Sequence, residues 1–126
     1  MNYSIDELFE MLSWNSTEKV QLKGIAEAKK IKHLSVFMRP IESKSVWENC
    51  AKIIASKDDS ELVRYLPELF QWLQDMNWPG AEIIYSKLKR LPPEEISLAY
   101  SLSVNNAKLL NDTVWLQVLE TFRLDA

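Results

Sequence analysis

The side chains able to do covalent or metal chemistry are few, and they are scattered. Cys50 is the single cysteine and His33 the single histidine. Together they could form a thiol–imidazole pair, but Cys50 falls within an apolar stripe, between Trp47 and Ile54, where cysteine behaves as a small buried hydrophobe. His33 falls in a lysine-rich run and is expected to face water. One cysteine allows no intrachain disulfide and no thiolate metal site, and one histidine no His-rich site. Neither a metal nor a cofactor is expected. Glu48, Asp75 and, farther along, Asp112 could supply carboxylates for acid–base or metal-assisted work, with Asn77 beside them. Their spacing matches no metal loop, and Asp75 and Asn77 suit the tight connection before Pro79 better, as turn residues that satisfy free N–H groups. A small hydrolase or metal-assisted enzyme using Glu48, Asp75 and Asn77 is the alternative reading of function.

The remaining polar signal is charge. Residues 1–15 carry acids only, residues 16–57 nine bases against four acids, and residues 58–126 six bases against eleven acids. Such polarity steers charged partners. Lys19, Lys23, Lys29, Lys30 and Lys32 form the candidate basic face, extended by Arg39, Lys44, Lys52 and Lys57. Eight of the nine are lysines, which attract phosphates without reading bases, and the chain's pI is about 5.2. An acidic protein surface is therefore the better expectation than nucleic acid. The five tryptophans divide by position: Trp47, Trp72 and Trp115 lie on or beside apolar stripes, whereas Trp14 and Trp78 sit at helix junctions next to an asparagine. A junction tryptophan is either a packed corner or a binding hot spot. Packing is expected here.

These groups must be positioned by helices. The chain of 126 residues has two glycines and five prolines, too little turn chemistry for a meander of short strands, and its size suits one domain spanning 1–126. Ser4-Ile-Asp-Glu7 is a capping box opening a helix that carries Leu8 and Leu12. Asn15-Ser-Thr-Glu18 repeats that signal for a second helix reaching about Leu34, striped by Val20, Gly24, Ala28 and Ile31. A third helix carries Trp47, Cys50, Ala51 and Ile54, with Glu48 and Lys52 as an i, i+4 pair. After Lys57-Asp-Asp-Ser60, Leu62, Leu66, Leu69, Phe70 and Leu73 share one face, and Pro67 predicts a kink, or a short helix followed by another with Pro67 in its first turn. Pro79 is expected to open a helix to about Leu91, and Pro93 one to about Leu110. This last helix is apolar on more than one side, with Leu98, Leu102 and Leu109 beyond its main stripe, which predicts neighbours on two sides. Asn111-Asp112 caps a final helix bearing Trp115, Val118, Leu119 and Phe122.

The fold expected is all-α, a short solenoid of about seven helices in helical hairpins of the HEAT or armadillo type, from pairs at roughly 16–56, 59–91 and 93–123. An irregular closed bundle is the alternative. The opening Met-Asn-Tyr-Ser-Ile-Asp-Glu has no basic start and no apolar run of leader length, and no stretch approaches the ~18 apolar residues of a membrane span. A cytoplasmic protein with no membrane partner is expected.

Two segments, Trp47-Glu-Asn-Cys-Ala-Lys52 and Trp72-Leu-Gln-Asp-Met-Asn-Trp-Pro-Gly-Ala81, resemble the signature of an uncharacterised family of small bacterial all-helical domains of unknown function. Two tryptophans bracketing Asp-Met-Asn and running into Pro-Gly-Ala make the second segment specific. The resemblance implies a compact HEAT-like helical domain and brings no activity and no catalytic residues. The function expected is therefore that of a non-enzymatic protein–protein interaction module, adaptor- or immunity-like. The stretch Trp72, Asp75, Asn77, Trp78, Pro79, with Glu48, is the candidate binding or structural corner and is expected to be the connection most sensitive to mutation.

Overall fold

The computed structural model describes residues 3–41 and 43–124, apart from the side chain of Leu124. Met1 and Asn2, which belong to the opening segment read above, lie outside the described residues. Eight α-helices are present among them, seven of at least six residues: α1 Ile5–Leu12, α2 Glu18–Ala28, α3 Trp47–Ala55, the single turn α4 Asp59–Leu62, α5 Leu66–Gln71, α6 Ala81–Arg90, α7 Pro93–Leu109 and α8 Thr113–Leu124. Short 3-10 turns link them, and the protein is all-α, with no strand among the described residues. Among the described residues, no helix is long and apolar enough to cross a membrane.

The capping box forms at α1, where the Ser4 hydroxyl accepts from the Glu7 N–H at 3.1 Å and the Glu7 carboxylate accepts from the Ser4 N–H at 3.0 Å. The second capping signal is displaced. Thr17, rather than Asn15, caps α2 by accepting from the Val20 N–H, and Ser16 instead donates to the Glu10 carbonyl, tying the turn to α1. α2 also stops at Ala28, six residues short of Leu34. The cause is tertiary: the Lys57 ammonium donates to the carbonyls of Lys29 (2.6 Å) and Ile31 (3.0 Å), taking acceptors a continuing helix would use. Leu34–Phe37 then forms a 3-10 turn that buries Leu34 and Phe37. Val20, expected in the buried stripe, is 38% exposed, while Gly24 lies under α1, where a Cβ would stand 2.8 Å from that of Met11. Close approach of two helices is thus what Gly24 permits.

Leu62, Leu66, Leu69, Phe70 and Leu73 are all buried, although no continuous helix carries them. α4 breaks after Leu62, a 3-10 turn follows, and Pro67 sits in the first turn of α5, where its missing N–H leaves no acceptor unsatisfied. The Glu48–Lys52 ion pair does not form: both side chains are exposed, and the ion pairs among the described residues are Lys30–Glu27 and Lys87–Asp59. α2 packs on α3 and α7 on α8, as the helix pairing predicts, while α6 packs chiefly on α3 and α5 on α7. One cluster of buried side chains runs through the molecule from Leu12 to Phe122. Along α7, Ile96, Ala99, Ser103 and Ala107 face this core. α7 does meet two neighbours, α5 and α8, but the side chains of its second apolar set stay outside: Leu98 is 73%, Leu102 50% and Leu109 81% exposed.

Candidate functional site

The Asp75–Gly80 connection is built by side-chain-to-backbone bonds. Trp72, in the 3-10 turn ending α5, is fully buried and donates its indole N–H to the Pro79 carbonyl at 3.0 Å. One Asp75 carboxylate oxygen accepts from the Asn77 N–H at 2.8 Å, an Asx-turn, and the Asp75 carbonyl accepts from the Trp78 N–H at 3.0 Å. Gly80 lies in the left-handed region at φ 85° and caps α6, so Pro79 precedes the helix rather than opening it. The Pro79 carbonyl is directed at the Trp72 indole, and the reversal this requires falls on Gly80. No other residue fits there. A Cβ at Gly80 would stand 2.7 Å from the Ala51 Cβ and 2.9 Å from the Trp47 carbonyl. Asn77 suits an Asx-turn by its residue type, but the turn uses the carboxylate of Asp75, and the Asn77 side chain is exposed.

Above this connection stand three indoles. Trp47 meets Trp72 edge to face at 6.1 Å and Trp78 at 5.5 Å, and donates to the Pro40 carbonyl at 2.6 Å. Arg39 covers the half-buried Trp78, its guanidinium carbon 5.4 Å from the ring centroid, while donating to Gln71 at 3.1 Å. Among the described residues, Arg39 is one of two non-glycine residues at positive φ (49°), its Nε is buried without a partner, and burial lowers its pKa against an opposing pull from Glu68. Nothing in the composition marks this residue. The signal available is its place before Pro40, which already restricts its backbone. Asn49 lies in the Trp47–Lys52 segment but carries no chemical signal of its own. It is buried and donates to the Leu12 carbonyl (2.7 Å) and to Gln21 (2.9 Å), joining α3 to α1 and α2.

The other chemical candidates do not converge. Asp75 is engaged in its turn, Asp112 accepts from the Trp115 N–H at 3.0 Å as the cap of α8, and Glu48 is exposed on α3. Among the described residues, no three His, Cys, Asp or Glu side chains are grouped so as to hold a metal ion. Cys50 is fully buried, and burial pushes its thiol up to about 12, so no thiolate forms at neutral pH. His33 is exposed and lines a separate polar groove of about 530 Å³ with Lys32, Glu61 and Arg64. Lys19, Lys23, Lys29, Lys30 and Lys32 are all exposed; Lys19 and Lys23 lie one turn apart on α2, whereas the other three follow its early end. Lys30 is paired with Glu27 at 3.3 Å, and Lys23 stands 5.9 Å from the Tyr3 ring centroid.

Two surfaces remain. The first is the outer face of α7, where Leu98, Leu102, Asn105 and Leu109 recur at steps of four, three and four residues. Leu110, which ends α7, and Val114, in the first turn of α8, are also exposed, 65% and 61%. The second is a groove of about 760 Å³ between α6, α7 and α8, floored by apolar side chains and flanked by Lys89 and Arg123. Tyr100 lines it and donates to the Leu119 carbonyl at 2.7 Å; burial raises its pKa, opposed by nearby Arg123 and reinforced by Glu120.

No curated protein and no solved structure matches the chain. The domain of unknown function DUF5071 does match, over residues 44–123, a span that contains both tryptophan segments, the corner they build, and α7. On that match, covering well over half its length, the chain belongs to the DUF5071 family.

Proposed function

We propose that this protein is a non-enzymatic interaction module whose contact surface is the outer face of α7, and whose partner is another protein presenting an apolar helix. The observation that carries the reading is the exposure of Leu98, Leu102 and Leu109 on one stripe. Scattered apolar residues on a surface need no explanation, but an aligned row marks a contact site. Its four-three-four spacing is that of a coiled-coil seam, which a second helix covers by inserting its own side chains between the leucines. Asn105 in the seam would fix the register of that helix. Glu94 and Glu95, at the start of α7, favour a partner helix that is basic at the adjoining end.

The packing of α3 on α6 and of α5 on α7 supports a stacked helical-hairpin architecture, in which an outer helix face is left for a partner. An adaptor or immunity role in the bacterial cytoplasm fits this design. The test is capture from native lysate with two baits, the natural chain and a Leu98→Ser, Leu102→Ser, Leu109→Ser variant, each first checked for self-association by light scattering. A protein retained by the first bait and lost with the second supports the reading. Equal capture by both baits, or turnover found in an unbiased enzyme screen, reverses it.

A further inference from the structure

The groove between α6, α7 and α8 has a composition that points to a ligand of a particular kind, independently of the α7 outer face. Its volume of about 760 Å³ lies within the ~300–1,000 Å³ of small-molecule sites. Leu91, Ile96 and the stacked rings of Tyr100 and Phe122, with centroids 5.9 Å apart and planes inclined by 25°, give it an apolar body. The polar groups are few and come from three different helices. Lys89 of α6 donates to the Phe122 carbonyl at 2.7 Å and stands 4.7 Å from the Phe122 ring centroid. That bond caps the last turn of α8 and holds the ammonium in place, leaving two of its three donors for a ligand. Arg123 of α8, exposed and 5.9 Å from the Tyr100 centroid, brings a second cation to the same groove.

Charge narrows the ligand further. Residues 58–126 hold eleven acids and six bases, yet this groove gathers two of those bases and a single acid, Glu94. Two cations and one carboxylate favour one negative charge, whereas a phosphate dianion would meet Glu94 without a third cation to offset it. The apolar floor requires that this charge be carried on an apolar body. We infer that the α6–α7–α8 groove binds an apolar monocarboxylate, its carboxylate held between Lys89 and Arg123 and its hydrocarbon part against Ile96, Tyr100 and Phe122.

The test is a titration followed by amide chemical shifts, with 3-phenylpropanoate as probe and its neutral, nearly isosteric amide as control. Saturable shifts confined to residues around 88–100 and 119–123 are expected, with the amide roughly tenfold weaker because it forgoes the charge-assisted bonds. Arg123→Gln, an exposed position whose loss leaves the core intact, should weaken the acid several-fold and leave the amide unchanged. Glu94→Gln should tighten the acid. Equal binding of acid and amide would show that the cations recognise nothing and overturn the inference. So would shifts elsewhere on the molecule, or no saturable shift at ~5 mM probe.

Discussion

The tryptophan corner and the outer face of α7 are both rich in large apolar side chains, and they have opposite fates. In the corner, every indole finds a partner: Trp72 bonds to Pro79, Trp47 to Pro40, and Trp78 lies between Trp47 and Arg39. On α7, Leu98 and Leu109 stand 73% and 81% exposed beside a face of the same helix that is buried. Apolar content alone therefore does not separate a packed corner from an exposed face. What separates them is whether polar atoms close around the apolar ones within the chain. The corner is sealed by hydrogen bonds from its indoles to its own backbone, and the leucine stripe on α7 is left open to solvent.

Mutations should divide along this line. The largest effect is expected at Trp72→Ala, which empties a fully buried site and orphans the Pro79 carbonyl, at a cost of about 3–5 kcal/mol in chemical denaturation. Gly80→Ala should follow at ~2–4 kcal/mol, since the added methyl meets Ala51 while its backbone is held in the left-handed region. Trp78→Ala should cost about 2 kcal/mol, less than a core tryptophan because the ring is half-buried and the Arg39 guanidinium lies over it. A loss under ~1 kcal/mol would move Trp78 from the structural class into the contact class.

Cys50 sharpens the corner side of the comparison through pH. Its folded pKa, about 12, lies above the ordinary 9.0, so the unfolded chain ionises first. Stability present below pH 9.0 is therefore lost progressively as pH rises toward 12, by up to ~1.4 kcal/mol per pH unit. Denaturation curves taken between pH 8.5 and 11 should show a shallower decline for Cys50→Ala than for the natural chain. Equal slopes would mean that the thiol is not held in an apolar site.

The sequence made some of this legible and hid the rest for physical reasons. Ser4 and Glu7, Pro67, and the Trp72–Ala81 string act through neighbours a few residues away, and their roles could be read directly. The end of α2 could not be, because Lys57 sets it from a distant helix end. Periodicity located the leucines of α7 on a second face, but it reports only that a face is apolar, not that another helix reaches it. Arg39 and Asn49 act through a backbone conformation and through carbonyls that exist only once α1, α2 and α3 meet. Asp75 lay in the candidate corner, and its bond to the Asn77 N–H gives it a turn to hold.

The smallest effect on stability belongs to the measurement that bears most directly on the comparison, chemical denaturation of the Leu98→Ser, Leu102→Ser, Leu109→Ser chain alongside the natural one. Leucines that face solvent contribute almost nothing to the isolated fold, so the unfolding free energies should agree within about 0.5 kcal/mol for each position changed. A loss approaching the ~2–5 kcal/mol expected for each buried leucine would place these side chains in the core and contradict the account.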